Sequence, residues 1–193
     1  IYISYDSTNK NCQAGDIELV EYGHAKEDKG LPVFNYSIAY DCNNREPLFY
    51  EDYPGSIVDV SQLQCMLDKA MAYGYKNAGF ILDRGYFSRE NIKYMDKCGY
   101  DFVIMVKGMK FFVNEAIWKV KDTFEEKRSH TIRKYHVNGI TLKTPVFYSD
   151  EKDRYLHIYY SYEKAAAERA ALEAKIDKIS AYLKKLEGQS VVI

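Results

Sequence analysis

The chain has 193 residues, 47% of them hydrophobic and 28% charged, and a net charge of −1. That length suits one domain, or one domain with an appendage, around a genuine core. The near-zero charge excludes a stand-alone protein that grips DNA through a large basic excess, and no apolar run approaches the roughly 20 residues a bilayer span needs.

Tyrosine is abundant, with 19 residues against one Trp and 9 Phe, which suits half-buried sheet faces. The four cysteines, Cys12, Cys42, Cys65 and Cys98, are never closer than 23 residues. They form no paired metal-binding motif, and a reduced, cytoplasmic chain without a signal peptide is expected. The chain enters a strand-like run directly at Ile1, which reads as a piece of a longer protein.

In chain order, residues 1–6 (I-Y-I-S-Y-D) form a strand that ends on a carboxylate, and residues 9–30 read mainly as polar loop. Residues 32–40 and 47–53 form two further strands around the turn cluster D-C-N-N-R, an antiparallel meander. Asp59 then opens a helix, with Gln62 three residues on as in a capping box. Leu63, Leu67, Ala70 and Met71 make its apolar stripe, and Gly74 ends it. Residues 78–83 (A-G-F-I-L-D) form a short apolar strand, again ending on Asp. Ser88 caps a helix that Gly99 stops, and residues 102–106 form a buried fifth strand followed by Lys107. The order β-β-β-α-β-α-β is that of an α/β, ribonuclease H-like mixed sheet.

Past Gly108 the pattern changes. A short helix over 111–120 is followed by strands over 131–137, 140–148 and 155–160, with Asn138-Gly139 as a hairpin turn. Residues 163–187 form a long helix whose Leu172, Ile176, Ile179, Leu183 and Leu186 step as a heptad seam. The expected division is a core over 1–108 and, over 109–193, a β-rich subdomain with the long helix.

Asp6 and Asp83 each close a predicted strand. Alone, either reads better as a turn former or helix cap. On neighbouring strands they would project from one sheet edge and could share hard divalent cations.

The words around them sharpen this. They are Asp6-Ser7-Thr8; Tyr22-Gly23-His24-Ala25-Lys26-Glu27-Asp28-Lys29; Pro47-Leu48 through Pro54-Gly55-Ser56-Ile57-Val58-Asp59; and Leu82-Asp83-Arg84-Gly85-Tyr86-Phe87-Ser88-Arg89-Glu90-Asn91. In this order, over roughly residues 1–110, they resemble the DDE transposases of bacterial insertion sequences. Ala25, Glu27 and Ser56 depart from the usual residues there, and none of these departures removes a metal ligand.

The resemblance implies a ribonuclease H-like core in a bacterial, nucleoid-associated protein. It further implies Asp6 and Asp83 as the first two carboxylates of a two-metal Mg2+ or Mn2+ site, and DNA, both transposon ends and target, as the partner in place of a small-molecule substrate. Lys26, Arg84 and Lys107 become candidate phosphate contacts. Lys26 reads equally as a solvated loop lysine and Arg84 as a carboxylate partner. Gly85 is expected to supply a positive φ after the strand, and His24, Asp59 and Ser88 to be structural.

The family's third carboxylate is a Glu on a later helix, in a Y-x-x-R-x-x-x-E pattern. Arg169 and Glu173 have the spacing, but Ala166 occupies the Tyr position, and Glu173 reads better as half of an i,i+4 ion pair. The third carboxylate is therefore expected outside this chain, leaving a fragment that is inactive alone, with residues 108–193 as an insertion. The alternatives are a ribonuclease H-like nuclease that only hydrolyses, and a non-catalytic, domesticated transposase that associates, as a homodimer for example, through its long helix.

Overall fold

Strict alternation builds the first strand. In β1 (Tyr2–Asn11) Ile3, Tyr5, Ser7 and Asn9 are buried, while Tyr2, Asp6 and Lys10 are exposed. The strand thus runs on past its expected end, and Asp6 lies inside it. The reason is chemical: two residues that look like loop formers serve as backbone partners. The Asn9 amide donates to the His24 carbonyl at 2.8 Å and its oxygen accepts the Lys26 N–H at 3.0 Å. Asn11 does the same with the Asp28 carbonyl and N–H, at 2.8 and 3.0 Å. The segment after residue 22 is stitched to β1 in this way.

The computed structural model describes residues 1–150 and 152–187. The chain divides into two units, Ile1–Met109 and Lys110–Ile193. In the first, β2 (Val33–Asp41) and β3 (Glu46–Pro54) continue from β1 as an antiparallel meander. Then follow α1 (Asp59–Ala72), β4 (Gly79–Leu82), α2 (Arg89–Cys98) and β5 (Asp101–Ile104). β4 pairs parallel with β1 and β5 parallel with β4, giving the order β3-β2-β1-β4-β5. This is the ribonuclease H-like mixed sheet.

The core lies on one face of it. Ile3, Tyr5, Phe80 and Leu82 of the sheet are buried with Leu63, Met66, Leu67 and Ala70 of α1 and with Ile92 and Met95 of α2. Each such aliphatic or aromatic side chain contributes about 1.5–3 kcal/mol of transfer free energy. The opposite face stays open, with Tyr2, Ile38, Tyr50, Ile81, Val103 and Met105 all exposed. For that reason β5, read as a buried strand, is instead a half-exposed edge strand that ends at Ile104.

The ends of the helices differ from one another. Ser88 caps α2 as expected, accepting the Asn91 N–H at 3.1 Å, and Gly99 ends it at φ 74°. The capping box of α1 does not form. Val58 is the N-cap, the Asp59 carboxylate accepts the Tyr53 hydroxyl at 2.8 Å, and Gln62 donates to Glu51 at 3.1 Å. Both side chains find longer-range partners than the helix terminus offers.

Gly23 and Gly55 are fixed by close approach. A Cβ on Gly23 would lie 1.8 Å from the Gly55 carbonyl oxygen, and one on Gly55 would lie 2.1 Å from the Val33 oxygen and 2.6 Å from the Glu21 oxygen. These neighbours are backbone atoms, held by the Glu21–Val33 bridge, and cannot swing aside. Gly55→Ala is expected to destabilise the first unit by about 1–3 kcal/mol or more, as overpacking does, read as a lower urea midpoint at unchanged slope.

The second unit contains α3 (Lys110–Val120), β6 (Thr131–Ile132), β7 (Val137–Thr144), β8 (Arg154–Tyr160) and α4 (Tyr162–Glu187). Its antiparallel sheet has the order β6-β7-β8. Asn138-Gly139 is not a turn but lies inside β7. The Asn138 amide is drawn inward to the Phe124 carbonyl at 3.1 Å, and the chain reverses instead over Arg133–Tyr135, with His136 at φ 52°. The seam of α4 is exposed, from 44% at Leu186 to 58% at Leu172. No helix among the described residues is long and apolar enough to cross a membrane.

Asp150 closes the loop before β8. Burial works to raise its carboxyl, but hydrogen bonds from the Phe147 N–H, the Arg154 guanidinium and the Val146 N–H outweigh burial and hold it below the usual Asp value. A depressed carboxylate stabilises the fold fully above its unfolded value and loses that contribution as pH falls through its folded one. Urea denaturation followed by Trp118 fluorescence is expected to show stability falling below about pH 4, and Asp150→Asn to flatten that fall.

Candidate active site

Two aspartates, one in β1 and one just after β4, are the candidates for the chemistry. β1 and β4 are paired from Tyr2↔Gly79 to Tyr5↔Leu82, and Asp6 and Asp83 come next on each. Ile3, Tyr5, Phe80 and Leu82 point into the core, so alternation sends Asp6 and Asp83 to the open face, where both are exposed. Neighbouring strands run about 4.7–4.9 Å apart, and each aspartate follows the last β1–β4 pair, Tyr5↔Leu82.

Each carboxylate is oriented by one backbone N–H. Asp6 Oδ1 accepts from Ser7 at 2.9 Å, and Asp83 Oδ1 accepts from Gly85 at 3.2 Å, capping the single 3-10 turn Arg84–Tyr86. The second oxygen of each has no hydrogen bond among the described residues. Acceptor-only oxygens facing solvent suit a hard cation such as Mg2+ or Mn2+. Gly85 does not take the expected positive φ; the turn is an ordinary 3-10 turn that begins at Arg84.

Beneath the pair lies a buried polar layer that the sequence reading missed. Tyr5 donates to Ser37 Oγ at 2.7 Å, Tyr53 donates to Asp59, and the Tyr5 and Tyr86 rings meet at 5.3 Å. The Ser7 hydroxyl neighbours the phenols of both Tyr53 and Tyr86, although the buried Tyr86 hydroxyl makes no hydrogen bond of good geometry. Burial first, with Asp59 nearby, pushes the Tyr53 and Tyr86 phenols well above the usual tyrosine value, so both stay neutral. Ser7 follows Asp6 and Tyr86 belongs to the turn that Asp83 caps, so this layer joins the two carboxylate-bearing segments. The Tyr5-x-Ser7 alternation around Asp6 was its one local signal.

The other candidates are dispersed. Lys26 Nζ donates to the Ser7 carbonyl at 2.9 Å, which ties its ammonium to the strand carrying Asp6. Arg84 is exposed directly after Asp83 and makes no ion pair among the described residues. Lys107 is exposed beyond the end of β5. His24 contributes its carbonyl to Asn9. Glu173 pairs with Arg169 at 3.1 Å on the exposed surface of α4, in the second unit. Among the described residues no three His, Cys, Asp or Glu side chains form a metal cluster.

A mixed five-stranded sheet in the order β3-β2-β1-β4-β5 has the ribonuclease H-like arrangement. The chain belongs to the transposase DDE domain family, whose model matches residues 5–167. Among solved structures it is similar to the N-terminal RNase H domain of a Mycobacterium tuberculosis protein, determined as a fusion with maltose-binding protein. The identity is 8% and the TM-score 0.29, over 58% of this chain and 87% of that one. No curated protein matches the chain.

Proposed function

We propose that this chain is the carboxylate-bearing core of an insertion-sequence transposase, with Asp6 and Asp83 as the first two metal ligands of its DNA-cutting site. The observation that supports this reading is the β1–β4 pairing up to Tyr5↔Leu82, with Asp6 and Asp83 the next residue on each segment of a family-matched sheet. A bound Mg2+ or Mn2+ supplies activation of the attacking oxygen and neutralisation of phosphate charge. The chain's own groups hold and orient: the Ser7 and Gly85 N–H groups fix one oxygen of each carboxylate, leaving the other for the cation. Lys26 and Arg84 offer positive charge to the DNA backbone beside them, with Lys107 as a further contact. The third carboxylate of the set comes from outside the chain, and the second unit is an insertion.

The reaction proposed is hydrolysis at a transposon end to free a 3′-hydroxyl, followed by in-line attack of that hydroxyl on target DNA. In the protein that carries this core, a precleaved end mixed with plasmid and Mn2+ is expected to give joined product. Cleavage without joining would favour the purely hydrolytic nuclease. One observation favours a different role: the exposed seam of α4 suits an oligomerisation helix in a non-catalytic homodimer. Light scattering is expected to give a mass that drops to the monomer when residues 163–187 are deleted, and an unchanged mass would remove that second reading.

A further inference from the structure

The outward face of the β6–β8 sheet combines flat rings with unpaired positive charge. Along β8 every second residue is exposed, and these are Tyr155, His157 and Tyr159. The two tyrosines are 70% and 60% exposed. The His157 and Tyr159 rings are stacked in sense, tilted by only 26°, with centroids 6.5 Å apart. Opposite them on β7 stand Lys143, Thr141 and Gly139. Thr141 shares a hydrogen bond with His157 Nδ1 at 2.8 Å, which fixes that ring. A Cβ at Gly139 would lie 2.9 Å from the Tyr159 ring, so glycine lets the ring lie down against the strand.

The charge of the segment that supplies β6 and β7 is one-sided, while Asp153 precedes β8. Residues 127–149 contain Lys127, Arg128, Arg133, Lys134 and Lys143 and not one Asp or Glu, in a chain whose net charge is −1. None of the five makes an ion pair among the described residues. Glu126 and Glu163 border Arg128 and His136 in a shallow cleft and offset charge there. Lys143 instead shares the face of the aromatic row, beside Tyr155, and Arg133 and Lys134 follow β6 at its edge.

An apolar protein partner would need no cations, and a duplex backbone would need no exposed rings. Rings spaced about two stacked bases apart, with cations alongside, match a single strand: bases stack on the rings while the phosphates meet Lys143, Arg133 and Lys134. We propose that this sheet face binds single-stranded DNA, such as the strand freed when a DNA end is opened. The proposal rests on the DNA-processing reading of the chain but uses none of the residues of the carboxylate site.

The test is fluorescence anisotropy of the whole chain with a labelled oligothymidylate. The double variant Tyr155→Ala/Tyr159→Ala is expected to bind at least about tenfold more weakly, since each stacked base contributes substantially, while Tyr155→Phe/Tyr159→Phe keeps its affinity. The triple variant Arg133→Ala/Lys134→Ala/Lys143→Ala is expected to lower the salt slope by about 2. All three changed sets are exposed, and unchanged circular dichroism and melting confirm folding. Binding untouched by the alanine pair, equal competition by duplex, or no binding at all would overturn the proposal. Mn2+ binding measured in the same samples separates the two readings. Retained Mn2+ binding without oligothymidylate binding sinks this inference alone, whereas oligothymidylate binding lost with the alanine pair in a chain that binds no Mn2+ upholds it against the carboxylate reading.

Discussion

Asp83→Asn is expected to reduce metal-dependent strand cleavage more than about 100-fold in the protein that carries this core, because even outer partners of a metal site cost 10–100-fold. The substitution is nearly isosteric. The amide oxygen of Asn still accepts the Gly85 N–H that Asp83 accepts at 3.2 Å, and Asn caps a turn as well as Asp does. What is lost is one negative charge on the open face. Asp6→Asn is the same experiment on β1, since Asn still accepts the Ser7 N–H. Stability is expected to stay within about 0.5 kcal/mol of the parent in both, as for exposed positions generally. Plasmid nicking with Mg2+, read beside urea denaturation of the same variants, separates loss of charge from loss of fold.

Phe80→Ala is expected to cost about 3–5 kcal/mol, the range for emptying a buried aromatic site. Phe80 is fully buried on β4 and packs edge-to-face on Tyr100 at 4.9 Å. β4 is a four-residue strand between β1 and β5, so little else on it can compensate. Against a typical stability of 5–15 kcal/mol, the change removes a large share, and because β4 leads directly into Asp83 it also loosens the site. Equilibrium urea denaturation checks it: the midpoint falls while the slope is kept.

Much of the architecture was legible because periodicity is local. The stripe of α1, the Ser88 cap and the Gly99 stop of α2, and the meander around D-C-N-N-R are all written within a few residues of where they act. Three of the misreadings share one cause, a local signal overruled by a distant partner. Asn9 and Asn11 look like loop residues until the backbone of residues 24–28 arrives to pair with them. Asp59 and Gln62 look like a capping box until Tyr53 and Glu51 take their side chains. Asn138-Gly139 looks like a hairpin turn until the Phe124 carbonyl takes the Asn amide.

The same distinction divides the site. Asp6 and Asp83 stand out in sequence because a carboxylate closing a short strand-like run is visible locally, although β1 in fact continues past Asp6 to Asn11. The layer beneath them does not, because Tyr5, Tyr53 and Tyr86 come from β1, β3 and the turn after β4, and only the folded sheet brings them together. Gly23 and Gly55 were visible as motif letters, but their reason, two backbones in contact, was not. The basic aromatic face of the second unit was hidden for a related cause: a whole-chain charge of −1 conceals an acid-free run.

The most direct test of the central claim is a Mn2+ titration of the isotope-labelled chain followed by amide NMR, which detects even weak binding. A shared site at Asp6 and Asp83 predicts paramagnetic broadening centred on the amides of Ser7 and Gly85, present together in the parent and gone in both Asp6→Asn and Asp83→Asn. Broadening spread over the acidic surface, or broadening at one of the two amides that survives loss of the other aspartate, would contradict it.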